Sequence, residues 1–114
     1  MKSLPDGKKE RDGMKITKRQ DGDILTIAVE GRLDTNTAPA FGSEVEGMIR
    51  GATKLVFDFD RLEYISSAGL RMLLMAQKEM NKRGEMKIIN VSEAIYEVLE
   101  DTGFTGVSDI AMKG

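Results

Sequence analysis

The stretch "LEYISSAGLRMLLMAQ", Leu62 to Gln77, joins a hydrophobic run directly to an amphipathic one. Apolar residues recur at helical spacing after the junction, so the pattern predicts a helix that begins at Ser66 or Ser67 and runs to about Arg83. Two hydroxyl groups at such a junction can cap the helix, act as a nucleophile, or accept a group from another enzyme. The rest of the sequence helps to choose among these three roles.

The predicted helix has two distinct faces. Four apolar residues form its core stripe: Met72, Leu73, Ala76 and Met80. Three basic residues form the opposite, solvated stripe: Arg71, Lys78 and Lys82. Leu70 and Leu74 flank the core stripe, and we expect them to extend it. Met75 lies beside charged positions, and its flexible thioether makes it a candidate contact for a partner.

Strand and helix signals alternate along the rest of the chain. Five segments have the pattern of strands or short packing segments: "MKITKRQ" (14–20), "DILTIAVEG" (23–31), residues 55–59, "MKIIN" (86–90) and residues 104–110. The Asp-Gly pair between the first two predicts a hairpin. An apolar loop is expected after residue 59. Thr37 is the expected cap of a first helix with Pro39 in its first turn, and Ser92 that of a third, "EAIYEVLEDT" (93–102).

This order, β-β-α-β-α-β-α-β, predicts an α/β fold. We expect a single domain with a mixed β-sheet of four to five strands, parallel βαβ units, and helices packed on one side. Residues 14–114 form that domain. Residues 1–13 are polar, turn-rich and without periodicity, which predicts a flexible leader.

Composition excludes several classes of protein. The chain has 17 basic and 19 acidic residues, so no basic field indicates direct binding of nucleic acid. No apolar run approaches the roughly 18 residues that insertion into a membrane requires. The first residues lack the apolar centre of a secretory signal, and cysteine is absent, which is typical of a cytoplasmic protein.

Residue types that are missing also limit the chemistry. Without histidine or cysteine, the chain cannot build a Ser-His-Asp triad, a Cys-His pair or a zinc site of the usual ligands. Neither Ser66 nor Ser67 has a lysine three residues later, and no phosphate-binding loop occurs. The sequence therefore disfavours an enzyme and predicts no cofactor and no metal.

The serine pair then has two compatible roles. One of the two hydroxyls caps the helix, and a hydroxyl in a cap still lies at the surface, where a partner can reach and modify it. A phosphate would add about −1.5 to −2 charges at pH 7. The dipole and free N–H groups of a helix N-terminus tolerate that charge, so the fold could survive while the surface changed. Gly69 follows in the first turn, where a glycine indicates either close packing or an approach of a partner to the bare backbone.

A second polar segment precedes the first helix. Asp34, Thr35 and Asn36 have the composition of a capping turn. They follow a strand in a βα arrangement, as the serine pair does. We therefore expect Asp34 and Ser67 to lie at the same edge of the sheet, where they would form one polar patch.

From Met14 to Ala111 the chain resembles the STAS family, specifically the small anti-sigma factor antagonists. Three segments carry the resemblance in order: "VEGRLDTNTAPAF" (29–41), "KLVFDFDRLEYISSAGLRMLL" (54–74) and "GEMKIINVSEAIYEVLEDTGF" (84–104). The resemblance implies that the unphosphorylated protein binds an anti-sigma factor with serine kinase activity of the GHKL type. Phosphorylation would break the complex, and a serine phosphatase would restore it.

The resemblance also implies roles for residues of the motif. Ser67 matches the phosphoacceptor, Gly69 and Leu70 match the glycine and leucine after it, and Asp34 matches an acidic residue after the second strand. Ser66 replaces the aspartate that leads the family motif and is a second candidate for phosphorylation. The partner-binding residues expected from the resemblance and from the two segments are Asp34, Thr35, Asn36, Ser66, Ser67, Ala68, Gly69, Leu70, Arg71 and Met75.

Two points stay open in this interpretation. We expect a monomer or a weak dimer. The alternative function is a STAS subunit without a switch, in a transport or stress-signalling assembly, where Ser67 would serve only as a cap.

Overall fold

The computed structural model describes residues 8–11, 13–106 and 109–113. The strands are β1 (Lys8–Arg11), β2 (Met14–Asp21), β3 (Ile24–Leu33), β4 (Lys54–Asp58), β5 (Leu62–Ile65), β6 (Glu85–Val91) and β7 (Asp109–Met112). The helices are α1 (Ala38–Met48), α2 (Ser67–Asn81) and α3 (Glu93–Asp101), and a 3-10 turn spans Phe104–Gly106. The predicted αβ alternation is therefore confirmed.

The strands form one mixed sheet in the order β1-β2-β3-β4-β6-β7. Both β1–β2 and β2–β3 are antiparallel, whereas β4 pairs with β3, β6 with β4, and β7 with β6 in parallel. The short strand β5 pairs in parallel with the C-terminal part of β3. The predicted mixed sheet is confirmed, but four to five strands was too low a number, because β1 and β5 were not predicted.

The predicted leader, residues 1–13, lies largely outside the described residues. Within it, Lys8–Arg11 pair with Met14–Thr17 as an antiparallel ladder. The sequence of β1, Lys-Lys-Glu-Arg, has no alternation of apolar and polar residues, so it gave no strand signal. The ladder is formed by backbone hydrogen bonds, which do not depend on that alternation.

The Asp-Gly hairpin is confirmed. Asp21 pairs with Ile24, so Gly22 and Asp23 form a two-residue loop. Gly22 has φ of +63°, a conformation that glycine adopts without steric cost. The hairpin starts β3 in the register that buries its alternate residues.

The core lies against one face of the sheet. Alternate residues of β3 and β4 are fully buried, among them Ile27 and Phe57. Neighbours on the other face, such as Thr26 and Val56, remain partly exposed. Along the path β3-β4-β6-β7 the parallel strands are added in one direction, so right-handed crossovers place the connecting helices on a single face. The ring centroids of Phe41 in α1 and Phe57 are 5.7 Å apart, which fastens that helix to the sheet.

The faces of α2 agree largely with the pattern. Leu73, Ala76 and Met80 are buried, and Met72 packs against the core. Leu70 is buried as expected, but Leu74 is 37% exposed and does not extend the core. Among the described residues, no helix is long and apolar enough to cross a bilayer.

Candidate functional site

The site lies where β3 and β5 end side by side. Leu33 and Ile65, the last residues of these parallel strands, are register partners. The backbone N–H of Ser66 donates to the carbonyl oxygen of Leu33 at 2.9 Å. The structure thus brings the turn that begins at Asp34 and the serine pair to the same edge of the sheet, as the sequence led us to expect.

The two serines have different environments. Ser66 is the N-cap of α2, with φ of −100° and ψ of 174°, and its Oγ accepts a hydrogen bond from the N–H of Gly69 at 3.2 Å. Ser67 is the first residue of the helix and its side chain is exposed. Among the described residues, the hydroxyl of Ser67 has no hydrogen-bond partner. The cap and the accessible hydroxyl are therefore separate groups, with Ser66 as the cap.

The first turn of α2 packs tightly against β3. A Cβ at Gly69 would lie 2.7 Å from Cγ of Leu33 and 2.9 Å from its carbonyl oxygen, so only glycine fits without a shift. Leu70 is 7% exposed and belongs to the core. The prediction that Gly69 and Leu70 contact a partner is thus corrected, because both residues are buried. They hold the start of α2 against the sheet, and this fixes the position of the neighbouring Ser67.

The side chain of Asp34, rather than that of Thr37, caps α1. The Oδ1 atom of Asp34 accepts hydrogen bonds from the backbone N–H groups of Asn36 at 2.9 Å and Thr37 at 3.0 Å. Its carbonyl oxygen accepts from the N–H of Ala38 at 2.8 Å, which is already the helical pattern. Thr37 is buried, its hydroxyl donates to the carbonyl oxygen of Arg32 at 2.9 Å, and it makes no cap bond. Thr37 therefore holds the N-cap position of α1 as expected, but its side chain makes no cap bond, and the cap bonds come from Asp34 in the turn before the helix.

The carboxylate of Asp34 carries a stabilised negative charge. The backbone hydrogen bond from Thr37 contributes most to lowering the pKa of Asp34, with further lowering by the bond from Asn36 and by contact with Arg32; partial desolvation opposes them. Nε of Arg32 lies 3.5 Å from Oδ2 of Asp34. Thr35 and Asn36 are exposed beside it, so this turn presents one fixed anion and two polar side chains to solvent.

Sequence reasoning missed Arg32 and Tyr64. The guanidinium carbon of Arg32 lies 4.3 Å from the ring centroid of Tyr64, a cation–π contact between β3 and β5. Tyr64 is 41% exposed. The two residues are register partners, and they became visible only once β5 was seen to be a strand. They add an aromatic and a basic group to the edge that holds Asp34.

The exposed side of α2 continues the site away from the sheet edge. Arg71 is exposed, and Met75 is 58% exposed, whereas Ala68 is partly buried. The structure thus keeps Ser67, Arg71 and Met75 on accessible surface. Among the described residues, no group of three or more acidic side chains is placed to hold a metal ion.

The polar, aromatic and basic side chains described above can form a recognition surface around the exposed hydroxyl of Ser67. Ser67 has no hydrogen-bonded base among the described residues, and histidine is absent from the whole sequence. The main-chain N–H groups of the first helical turn point to the same end and favour an anion there.

The chain belongs to the STAS domain family, whose sequence profile matches residues 15–113. A curated relative is BtrV of Bordetella bronchiseptica, named as a candidate anti-sigma factor antagonist. It is 30% identical over 100 residues, covering 86% of this chain and 86% of the relative.

Solved structures share the fold. An anti-sigma factor antagonist of Mycobacterium paratuberculosis has a TM-score of 0.79 at 19% identity, covering 86% of this chain and 85% of the other. SpoIIAA in its unphosphorylated form has a TM-score of 0.74 at 19% identity, covering 86% and 89% of the two chains. The same protein from Bacillus has also been solved in a phosphorylated form, with a TM-score of 0.67 at 19% identity, covering 86% and 92%.

Proposed function

We propose that this protein is a cytoplasmic anti-sigma factor antagonist controlled by phosphorylation of Ser67. Its unphosphorylated form binds an anti-sigma factor that is also a serine kinase of the GHKL type, and the bound sigma factor is released. Transfer of a phosphoryl group to Ser67 ends the complex, and a serine phosphatase restores it. The protein itself binds without catalysing a reaction.

One observation supports this function above the others: an exposed Ser67 hydroxyl beside a different residue that caps the helix. Because Ser66 supplies the cap, modification of Ser67 removes no hydrogen bond from the fold. A phosphate adds about −1.5 to −2 charges at pH 7, at an edge where Asp34 is already negative. Phosphorylation therefore changes the charge that a partner meets at this edge, while the backbone of the protein stays the same.

The relatives support the same function. BtrV is named for antagonism of an anti-sigma factor, and SpoIIAA exists in phosphorylated and unphosphorylated forms. The exposed positions Thr35, Asn36, Ser67, Arg71 and Met75, together with the partly buried Asp34, form the proposed binding surface, with Ser66 and Ala68 at its margin. Arg32 and Tyr64 join this surface, since Arg and Tyr are enriched among residues that dominate binding energy.

The experiment that tests this proposal uses the two serines as matched variants. The kinase is captured from the protein's own cells with Ser67→Ala, then identified, purified and incubated with ATP and each variant. We expect phosphate on wild type and on Ser66→Ala, and none on Ser67→Ala, by mass spectrometry. We also expect Ser67→Ala to bind the kinase and Ser67→Glu to bind it at least about tenfold more weakly.

Different results would separate the alternatives. Phosphate on Ser66 alone would move the switch to the neighbouring residue. Equal binding of Ser67→Ala and Ser67→Glu to a partner without kinase activity would support a STAS subunit without a switch.

A further inference from the structure

A groove runs between α1 and α2 on the helical side of the domain. Its volume is about 480 Å³. Its apolar wall is formed by Pro39, Gly42, Val45, Met72, Met75 and Ala76. Met75 also belongs to the binding surface proposed above, so the groove adjoins that surface, whereas the α1 residues of this wall lie outside it.

The groove lies between two helices that begin at the edge that carries Ser67. Both helices follow the paired strand ends at Leu33 and Ile65, so both begin at that edge and run away from it. Near the C-terminal ends of the helices, Arg83 bridges them, since its Nη1 donates to the carbonyl oxygen of Ile49 at 3.2 Å. Arg83 is also paired with Glu79 at 2.6 Å. A molecule that contacts Ser67 can extend into the groove from the N-terminal ends of the helices.

A glycine-dependent contact keeps the groove deep. A Cβ at Gly42 would collide with Sδ of Met72, so the missing side chain lets Met72 fold down as the floor. Met75, one turn further along α2, stands at the rim and is 58% exposed. Methionine side chains are flexible and polarisable, which suits a wall that adapts to another protein.

We propose that the anti-sigma factor kinase inserts a row of apolar side chains into this groove while it holds Ser67. This inference rests on the proposed function, and continuity of the groove with the Ser67 edge is what selects that partner as the occupant. The interface then has a switched part at Ser67 and a constant part in the groove. Met75 lies eight residues after Ser67, about 12 Å along the helix, so a phosphate on Ser67 does not reach Met75.

Separation of the two parts predicts how their effects combine. Groups more than about 10 Å apart act nearly additively, so groove and Ser67 substitutions should multiply their fold-changes in Kd. A contact made equally before and during phosphoryl transfer affects binding alone. Loss of the groove contact should therefore raise KM of the kinase for this protein and leave kcat unchanged.

The test places one polar substitution on each wall. Met75→Gln removes the apolar rim of α2, and Ser43→Arg inserts a long charged side chain from exposed Ser43 of α1. Met112→Gln on β7 is the matched control, since Met112 is also an exposed methionine but lies outside the groove. The probe is the purified kinase identified by capture with Ser67→Ala, and thermal unfolding checks that each variant is folded.

We expect both groove variants to raise Kd and KM about tenfold, with kcat unchanged and Met112→Gln equal to wild type. Adding Met75→Gln to Ser67→Glu should raise Kd by the same factor, about tenfold, above the Kd of Ser67→Glu alone. If both groove variants bind the kinase like wild type while Ser67→Glu binds weakly, the groove inference is overturned and the proposed function stands. If Ser67→Glu also binds like wild type, the proposed function fails.

A second copy of this chain is the competing occupant. Sedimentation of the wild-type protein and of Ser43→Arg distinguishes it. A dimer that dissociates on Ser43→Arg substitution would contradict insertion of the kinase, whereas the same sedimentation behaviour for both proteins, together with the loss of kinase binding, supports it.

Discussion

Adjacent hydroxyl groups on Ser66 and Ser67 differ in what they contact, and this difference decides their roles. Oγ of Ser66 accepts from the N–H of Gly69, so it satisfies one of the free donors of α2. Ser67 turns outward from the first helical position. A chain that used one serine for both tasks would change its cap upon phosphorylation. Here the structural task and the proposed regulatory task are divided between two residues.

The cap bond gives a direct prediction about stability. Ser66→Ala removes the acceptor for the N–H of Gly69, and such a loss at an N-cap costs about 1 kcal/mol of the free energy of unfolding. Ser67→Ala is the matched control and should change that free energy by less than about 0.5 kcal/mol, since the Ser67 side chain is exposed. Urea unfolding of both variants measures the difference. A larger loss for Ser67→Ala would mean that the assignment of the cap is mistaken.

Asp34 predicts a dependence of stability on pH. Its carboxylate has a lowered pKa in the folded state, chiefly because of the hydrogen bond from the N–H of Thr37. A lowered pKa stabilises the fold above the ordinary value of about 4, and this stabilisation is lost as the pH falls through the lowered pKa. Asp34→Asn keeps the side-chain acceptor and removes the charge. We therefore expect the variant to be less stable than wild type at pH 7.

The pH series isolates this charge from others that titrate in the same range. Glu79 also has a lowered pKa, chiefly because of its hydrogen bond with Arg83, but it is present in both proteins and cancels in the difference. The free energies of unfolding of wild type and Asp34→Asn should converge as the pH falls from 7 to about 2.5. A difference that stays constant over this range would show that the charge of Asp34 does not stabilise the fold.

At the scale of elements, local patterns predicted helices better than short strands. The helical spacing after Ser67 predicted α2, and its buried Leu73 and Met80 lie where the pattern placed them. β5 was expected to be a loop. It is a strand because its residues pair in parallel with β3, about thirty residues earlier in the chain. No local signal reports such a pairing. The contact of Arg32 with Tyr64 was missed for the same reason.

The packing of the helices on their neighbours predicts opposite effects for two glycine-to-alanine substitutions. Gly69→Ala forces a Cβ against Leu33 and should lower the free energy of unfolding by about 1 to 3 kcal/mol. At Gly47, in α1, a Cβ would meet nothing within 4 Å. Gly47→Ala should therefore raise the free energy of unfolding by up to about 1 kcal/mol, because alanine is the better helix former. Chemical unfolding of the two variants tests this, and a neutral Gly69→Ala would contradict the tight packing of α2 on β3.

At the scale of the whole molecule, the alternation of strands and helices was enough to predict one α/β domain with a mixed sheet. It also placed Asp34 and Ser67 at one edge, because helices that follow parallel strands begin at the same side of a sheet. Which residues of that edge are buried could not be predicted. Gly69 and Leu70 carry the family motif, yet their burial depends on how closely α2 approaches Leu33, which is a three-dimensional distance.

The whole fold should survive modification at Ser67. The side chain is exposed at the start of a 15-residue helix, and a negative charge there interacts favourably with the helix dipole. We therefore expect the phosphorylated protein and Ser67→Glu to have free energies of unfolding equal to that of wild type or up to about 1 kcal/mol higher. Their urea m-values should be unchanged, because the surface exposed on unfolding is the same.

Stability and binding must be measured on the same samples for this prediction to be decisive. Binding of the kinase should fall at least about tenfold upon phosphorylation, while the unfolding curve keeps its slope and its midpoint stays the same or moves to higher urea. Charge at the surface would then account for the switch, since the docked protein would meet the same backbone with a different potential. A phosphoprotein that unfolded at lower urea, in proportion to its loss of binding, would instead mean that phosphate acts by opening the first turn of α2. Restoration of both wild-type curves by a phosphatase would show that the change is reversible.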